Sequence, residues 1–187
     1  MPVPATLVHW LFALAAAGAV SFFFVGVPSF LERRTDRPLW VRGIHDASLL
    51  LALAHVVGAF LLAPRSENFA AAGIAMYTLS IALFLSAMEA ARGTRMQRAF
   101  IDYPLPDRLI TQGPYRWVRH PFYLGYIIGA LAPAVAIASA WITAISAIMI
   151  VVVIAAAVRE ERAWLASPRA PEYRNYQQRA GMFFPAP

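Results

Sequence analysis

Stretches of about 20 almost wholly apolar residues constrain this chain more than any other feature. A hydrocarbon core roughly 30 Å thick takes about that many residues in a helix. Five segments qualify or come close: about Ala5 to Val27, Gly43 to Ala63, Phe69 to Ala91, Phe122 to Ser139, and Trp141 to Val158. Pro28 and Pro64 close the first two. The last two are separated by almost nothing, so they predict a tight helical hairpin, each arm near the lower limit for crossing. Strand alternation is absent, and backbone groups in lipid must be satisfied within the segment, so the segments predict helices. Composition agrees: 60% of the residues are hydrophobic and 14% charged. The expected fold is all-α, an integral membrane protein of about five transmembrane helices with a short C-terminal helix.

Charge placement predicts orientation. All sixteen basic residues are arginine. Arg33, Arg34, Arg37 and Arg42 lie between the first two segments. Arg92, Arg95, Arg98, Arg108, Arg116 and Arg119 lie between the third and fourth. Arg159, Arg162, Arg169, Arg174 and Arg179 follow the fifth. Only Arg65 falls on the other side. The positive-inside rule then sets the N-terminus outside and the C-terminus in the cytoplasm. Arginines that flank membrane segments answer to anionic headgroups, so a net charge of +6 is not read as a nucleic-acid surface. The segment before the first helix carries no basic residue, and no cleavable leader is expected. The chain has no cysteine, which removes thiolate chemistry and cysteine metal sites, and no two histidines have ligand spacing. No metal is expected.

Two regions follow. Residues 1–93 read as a three-helix transmembrane part, and residues 94–187 hold nearly all the clusters of arginine, aromatic and carboxylate. The longest polar connection, Asp102 to Pro121, has four prolines and one glycine, which favour a fixed, non-helical path. Pro121 suits the first turn of the fourth helix, where a missing N–H is harmless. His120 then sits at the helix start among free backbone N–H groups that attract carboxylates and phosphates. Tyr123, three residues on, shares that side. The fifth helix exits as "VREERAWL", with Glu160 and Glu161 between Arg159 and Arg162. A solvated helix end with local ion pairs would look the same. Tyr173 and Tyr176 share a face of the tail helix, where they could equally be interfacial anchors. His55 lies mid-segment, and a neutral histidine bonded to a neighbouring helix is the plain alternative to a functional one. His45 and Asp46 stand at the start of the second helix. Glu89 could line a cavity or pair with Arg92. Gly125 and Gly129 suit close helix packing.

The run "LITQGPYRWVRHPFYLG", a short hairpin, "EER", "EYRNY" and a closing "FFP" together resemble the C-terminal region of the isoprenylcysteine carboxyl methyltransferase family. That superfamily includes membrane phospholipid methyltransferases. The resemblance covers about Leu109 to Pro185, and its specific part is Arg-His-Pro-x-Tyr. It implies a helical S-adenosylmethionine site facing the cytoplasm, and the sequence has no G-x-G-x-x-G. On that resemblance the cofactor-binding set is Tyr115, Arg119, His120, Pro121, Tyr123, Tyr126, Glu160 and Glu161, with His120 and Glu161 as catalytic residues. His120 and nearby arginines suit the cofactor's carboxylate, and Glu161 suits its ammonium or a ribose hydroxyl. Tyr115, Tyr123, Tyr126 or Trp164 could stack on adenine or face the sulfonium. The expected acceptor is a lipophilic small molecule or lipid bearing a carboxylate, thiol or amine. Two alternatives stay open: an NADPH-dependent, sterol-type reductase and a non-enzymatic lipid- or partner-binding protein.

Overall fold

The computed structural model describes residues 5–26, 39–92, 94, 105 and 108–186. Arg33, Arg34, Arg37, Arg95 and Arg98, with the side chains of Arg42 and His45, lie outside the described residues. The described chain is all-helical. Helix α1 (Ala5–Ser21) runs on through a π turn, Phe22–Gly26. Then come α2 (Leu39–Leu61), α3 (Glu67–Ala90), a 3₁₀ turn at Gly113–Arg116, α4 (Pro121–Ile137), α5 (Ala140–Leu165) and α6 (Ala170–Gln177).

Three helical stretches are long and apolar enough to cross a membrane: Thr6–Phe24, Glu67–Ala90 and Ala140–Leu165. Asp46–Leu61 and Pro121–Ile137 are shorter apolar helices. At 1.5 Å per residue α4 reaches only about 25 Å, whereas α5 reaches about 39 Å. The fifth helix thus runs on beyond the apolar segment that closes at Val158, through the expected exit to Leu165. Its last two turns carry Arg159, Glu160 and Glu161 beyond the apolar part. Leu50, Leu61, Leu79, Ile148 and Val151 are exposed on the outside of the bundle. An apolar outer surface of that kind is what lipid contact requires.

The hairpin between α4 and α5 turns at Ala138, whose φ of 53° is left-handed, and restarts from Ser139. Helices α3 and α4 share the most extensive interface, because small residues let their backbones meet. Ser80 Oγ donates to Gly125 O at 2.6 Å. A Cβ at Gly129 would lie 3.1 Å from Ser80 Oγ. Around this contact Phe23, Phe84, Phe122 and Tyr126 form an aromatic cluster with neighbouring centroids 4.6 to 5.1 Å apart. His55 is buried and its Nε2 lies 3.1 Å from Ser146 Oγ, which donates to Ala130 O at 2.7 Å. It thus ties α2 to α5 and α4. Glu89 pairs with Arg92 at 2.7 Å on an exposed surface. Both groups take the plainer of their two expected roles.

Candidate functional site

The polar connection reaches α4 along a path fixed by glycine and proline. Gly113 has φ +59, and a Cβ there would meet Ala90 Cβ at 2.8 Å. Only glycine lets the 3₁₀ turn lie this close to the end of α3. Gln112 Nε2 donates to Ala90 O at 3.1 Å. Tyr115 is buried against Ala87, Ala91 and Ile110. The chain then runs beside the tail. Gly181 N donates to Trp117 O at 3.2 Å, Arg119 N to Gly181 O at 2.8 Å, and His120 N to Met182 O at 3.2 Å. Val118 and Gly181 form an isolated parallel β-bridge. Pro121 begins α4, with His120 as its N-cap.

Residues from three distant parts of the chain meet at Glu161. Arg119 Nε donates to Glu161 Oε1 at 2.7 Å, and His120 Nε2 lies 3.2 Å from the same oxygen. Gln177 Nε2 donates to Oε2 at 3.0 Å. Arg119 Nη1 also donates to Ala180 O. His120 and Glu161 are buried. A carboxylate has about four acceptor positions, so three donors leave Glu161 almost fully engaged. A surface ion pair is weak, but a buried and multiply bonded one holds its geometry.

Aromatic side chains wall this cluster. The His120 ring lies 5.4 Å from Tyr123 and 6.0 Å from Phe183. Tyr173 stacks on Trp164 at 5.6 Å with planes 7° apart. Tyr176 donates its hydroxyl to Tyr115 O at 2.6 Å. On α6, Tyr173, Tyr176 and Gln177 follow the i, i+3, i+4 spacing and so share one face. Among the described residues the buried Tyr115 hydroxyl has no hydrogen-bond partner, and the buried Tyr173 hydroxyl lies beside the Arg119 guanidinium. Burial, with the negative field of Glu160 added, pushes the Tyr115 phenol well above its ordinary pKa. Burial also raises Tyr173. Both are neutral O–H groups beside charged neighbours.

Arg119, His120, Pro121, Tyr123 and Glu161 are therefore brought together, and Tyr115 lies beneath them through Tyr176. Glu160 is half-buried, and its charge acts on Tyr115 and Tyr173. Tyr126 stands one helical turn deeper, packed on Phe23 and Phe84. Trp164 is buried with a face covered by Tyr173, so it serves as that tyrosine's support. Sequence reasoning missed Gln177 and the Ala180 carbonyl. The available signal for Gln177 was its position four residues after Tyr173. Among the described residues, no three His, Asp or Glu side chains come together as a metal site.

A stretch of 79 residues is 36% identical to the cobalt-zinc-cadmium resistance protein CzcN of Cupriavidus metallidurans. The match takes in 42% of this chain but only 36% of that protein's length. No solved structure matches the chain. The family described as phospholipid methyltransferase matches residues 68–168, from α3 through the end of α5, and so spans the Arg119–His120–Glu161 cluster. With more than half of its length matched, the chain belongs to the phospholipid methyltransferase family.

Proposed function

We propose that the protein is an S-adenosylmethionine-dependent methyltransferase that modifies a lipophilic acceptor at the cytoplasmic face of a membrane. Residues 94–187 carry the chemistry and residues 1–93 supply the supporting helices. The observation that carries this reading is the convergence of Arg119, His120 and Glu161 under the tail. The donor set fits a ligand with an anionic end, a cationic end and hydroxyls. Arg119 and the start of α4 give the site a positive field that suits a carboxylate, whereas Glu160, with the one acceptor position left on Glu161, suits an ammonium or a ribose. The buried hydroxyl of Tyr115, which has no partner among the described residues, suits a further neutral contact.

S-adenosylmethionine, when bound, supplies an electrophilic methyl group on a sulfonium. The chain's own work is to position and to exclude water. Methyl transfer is an in-line displacement that gains most from a fixed approach. Tyr123, Phe183 and the buried tyrosines provide apolar walls that keep a nucleophile poorly hydrated. A site just past the apolar part of α5 suits an amphiphile arriving from lipid, and the arginine distribution supports a cytoplasmic side for it.

Calorimetry of the detergent-purified protein with S-adenosylhomocysteine tests the reading. Micromolar binding is expected, and Glu161→Ala should weaken it by at least tenfold, about 1.4 kcal/mol or more. Tight NADPH binding without any response to S-adenosylhomocysteine would move the protein to reductase chemistry.

A further inference from the structure

The tail after α6 lies deeper than its polar neighbours suggest. From Trp141 to Arg159, α5 runs without charge for about 27 Å, close to the thickness of a hydrocarbon core. The turn at Ala138 sends α4 back beside α5, and its 17 residues bring Pro121 level with the region of Ala156, still within that apolar run. The packing agrees. Tyr123 forms one buried cluster with Val153, Ala156 and Ala157, and Phe183 of the tail packs against it. The loop before α4 and the tail bonded to it therefore lie at the level of the last apolar turns of α5. Non-helical backbone is tolerated at such a depth only where its polar groups are satisfied within the protein. Here Gly181 N donates to Trp117 O, while Arg119 N and His120 N donate to the carbonyls of Gly181 and Met182.

Two large side chains on these segments remain uncovered. Among the described residues, Trp117 and Phe184 are the exposed large hydrophobics that lie outside helices α1 to α5, at 55% and 79% exposure. The backbone bonds join their two segments, so both belong to one small surface beside the start of α4. Each has an exposed arginine on its own segment. The Arg116 guanidinium lies over the Trp117 ring, 4.6 Å from its centroid, and Arg179 stands five residues before Phe184. The headgroup region of a bilayer takes aromatic rings and arginines together. We propose that Trp117 and Phe184 insert at the boundary of acyl chains and headgroups in the protein's own membrane, and that Arg116 and Arg179 hold the phosphodiesters of anionic phospholipids. The tail is thus a re-entrant strap, with Phe183 turned onto protein and Phe184 onto lipid. A symmetric contact with a second copy would instead set these arginines against their own kind. This surface is separate from the acceptor site, and it requires only that the helices cross a membrane, not that the chain transfers methyl groups.

The test uses the full chain in nanodiscs of phosphatidylcholine, alone or mixed with phosphatidylglycerol. Because the chain has no cysteine, one nitroxide can be placed at a time. The positions are Trp117→Cys, Phe184→Cys and Pro185→Cys, the last leaving both aromatic rings in place. Val151→Cys serves as the lipid reference and Arg174→Cys as the water reference, both at exposed sites. Relaxation by oxygen, which concentrates in lipid, against that by a water-soluble nickel chelate reports depth. Labels at 117, 184 and 185 should fall between the two references, in chains whose thermal unfolding is unchanged. Labels as open to the chelate as the one at 174 would overturn the proposal. Spin–spin broadening at these positions in discs that hold two copies would give the surface to self-association, and would overturn it too. Phosphatidylglycerol should draw the label at 185 deeper. Arg116→Gln or Arg179→Gln should each raise the phosphatidylglycerol content needed for half of that change by about fivefold, the effect of one cation near an anionic surface. A depth at 185 that ignores phosphatidylglycerol would refute the anionic-lipid assignment.

Discussion

Gln177 shows how a neutral side chain can determine the geometry of a charged cluster. Two donors, from Arg119 and His120, crowd one oxygen of Glu161, and among the described residues Gln177 holds the other. Without it the carboxylate is free to rotate toward Arg119 and away from His120. A hydrogen bond to a charged group contributes about 1.5–3 kcal/mol. Gln177→Met, which keeps the bulk but not the N–H, should raise the Kd for S-adenosylhomocysteine by roughly tenfold or more. Gln177→Lys, which keeps a donor, should raise it much less, and calorimetry at matched unfolding temperatures separates the two. Beyond its place on the helix face of Tyr173, nothing in the sequence marked this residue. Arg119, His120 and Glu161 stand out because charged groups beside apolar helices need a reason to be there, whereas a glutamine on an eight-residue polar helix resembles ordinary solvated surface. It also lies outside the stretch that the family match covers.

The tail from Ala180 to Phe184 is an element without regular structure, yet it fixes the loop that precedes α4. Three backbone hydrogen bonds and one parallel bridge tie it to Trp117–His120. Gly181 makes the turn possible, since a Cβ there would collide with the Phe184 carbonyl oxygen. Gly181→Ala must therefore open that turn. The expected outcome is a tail cut by limited proteolysis that spares the unaltered protein, with weaker S-adenosylhomocysteine binding and little change in the thermal unfolding of the helices. Most helices could be placed from hydrophobicity because each apolar run buries one side and offers another to lipid. Their ends were less legible. The apolar run closes at Val158, where charge begins, and nothing local fixes where beyond it the helix stops; helical hydrogen bonding continues to Leu165. Likewise, nothing in the local sequence signals that Gly181 pairs with Val118, because that contact joins positions 63 residues apart.

For the whole molecule, the arginine distribution predicts that the α4–α5 hairpin and the tail lie on opposite sides of the membrane. The absence of cysteine makes this directly measurable. Single substitutions Ser139→Cys and Arg179→Cys should react from opposite sides with a membrane-impermeant maleimide, Ser139→Cys in sealed cells and Arg179→Cys only after disruption. Labelling of both from the same side would remove the proposed topology. The pairing of Arg119 with residues 180 and 181 also imposes an order in time. A ribosome that has delivered all the apolar helices has still not made the partners that hold this guanidinium in place. Helices α1 to α5 are therefore made before the groups that hold this guanidinium exist, and the cluster at Glu161 can close only after them.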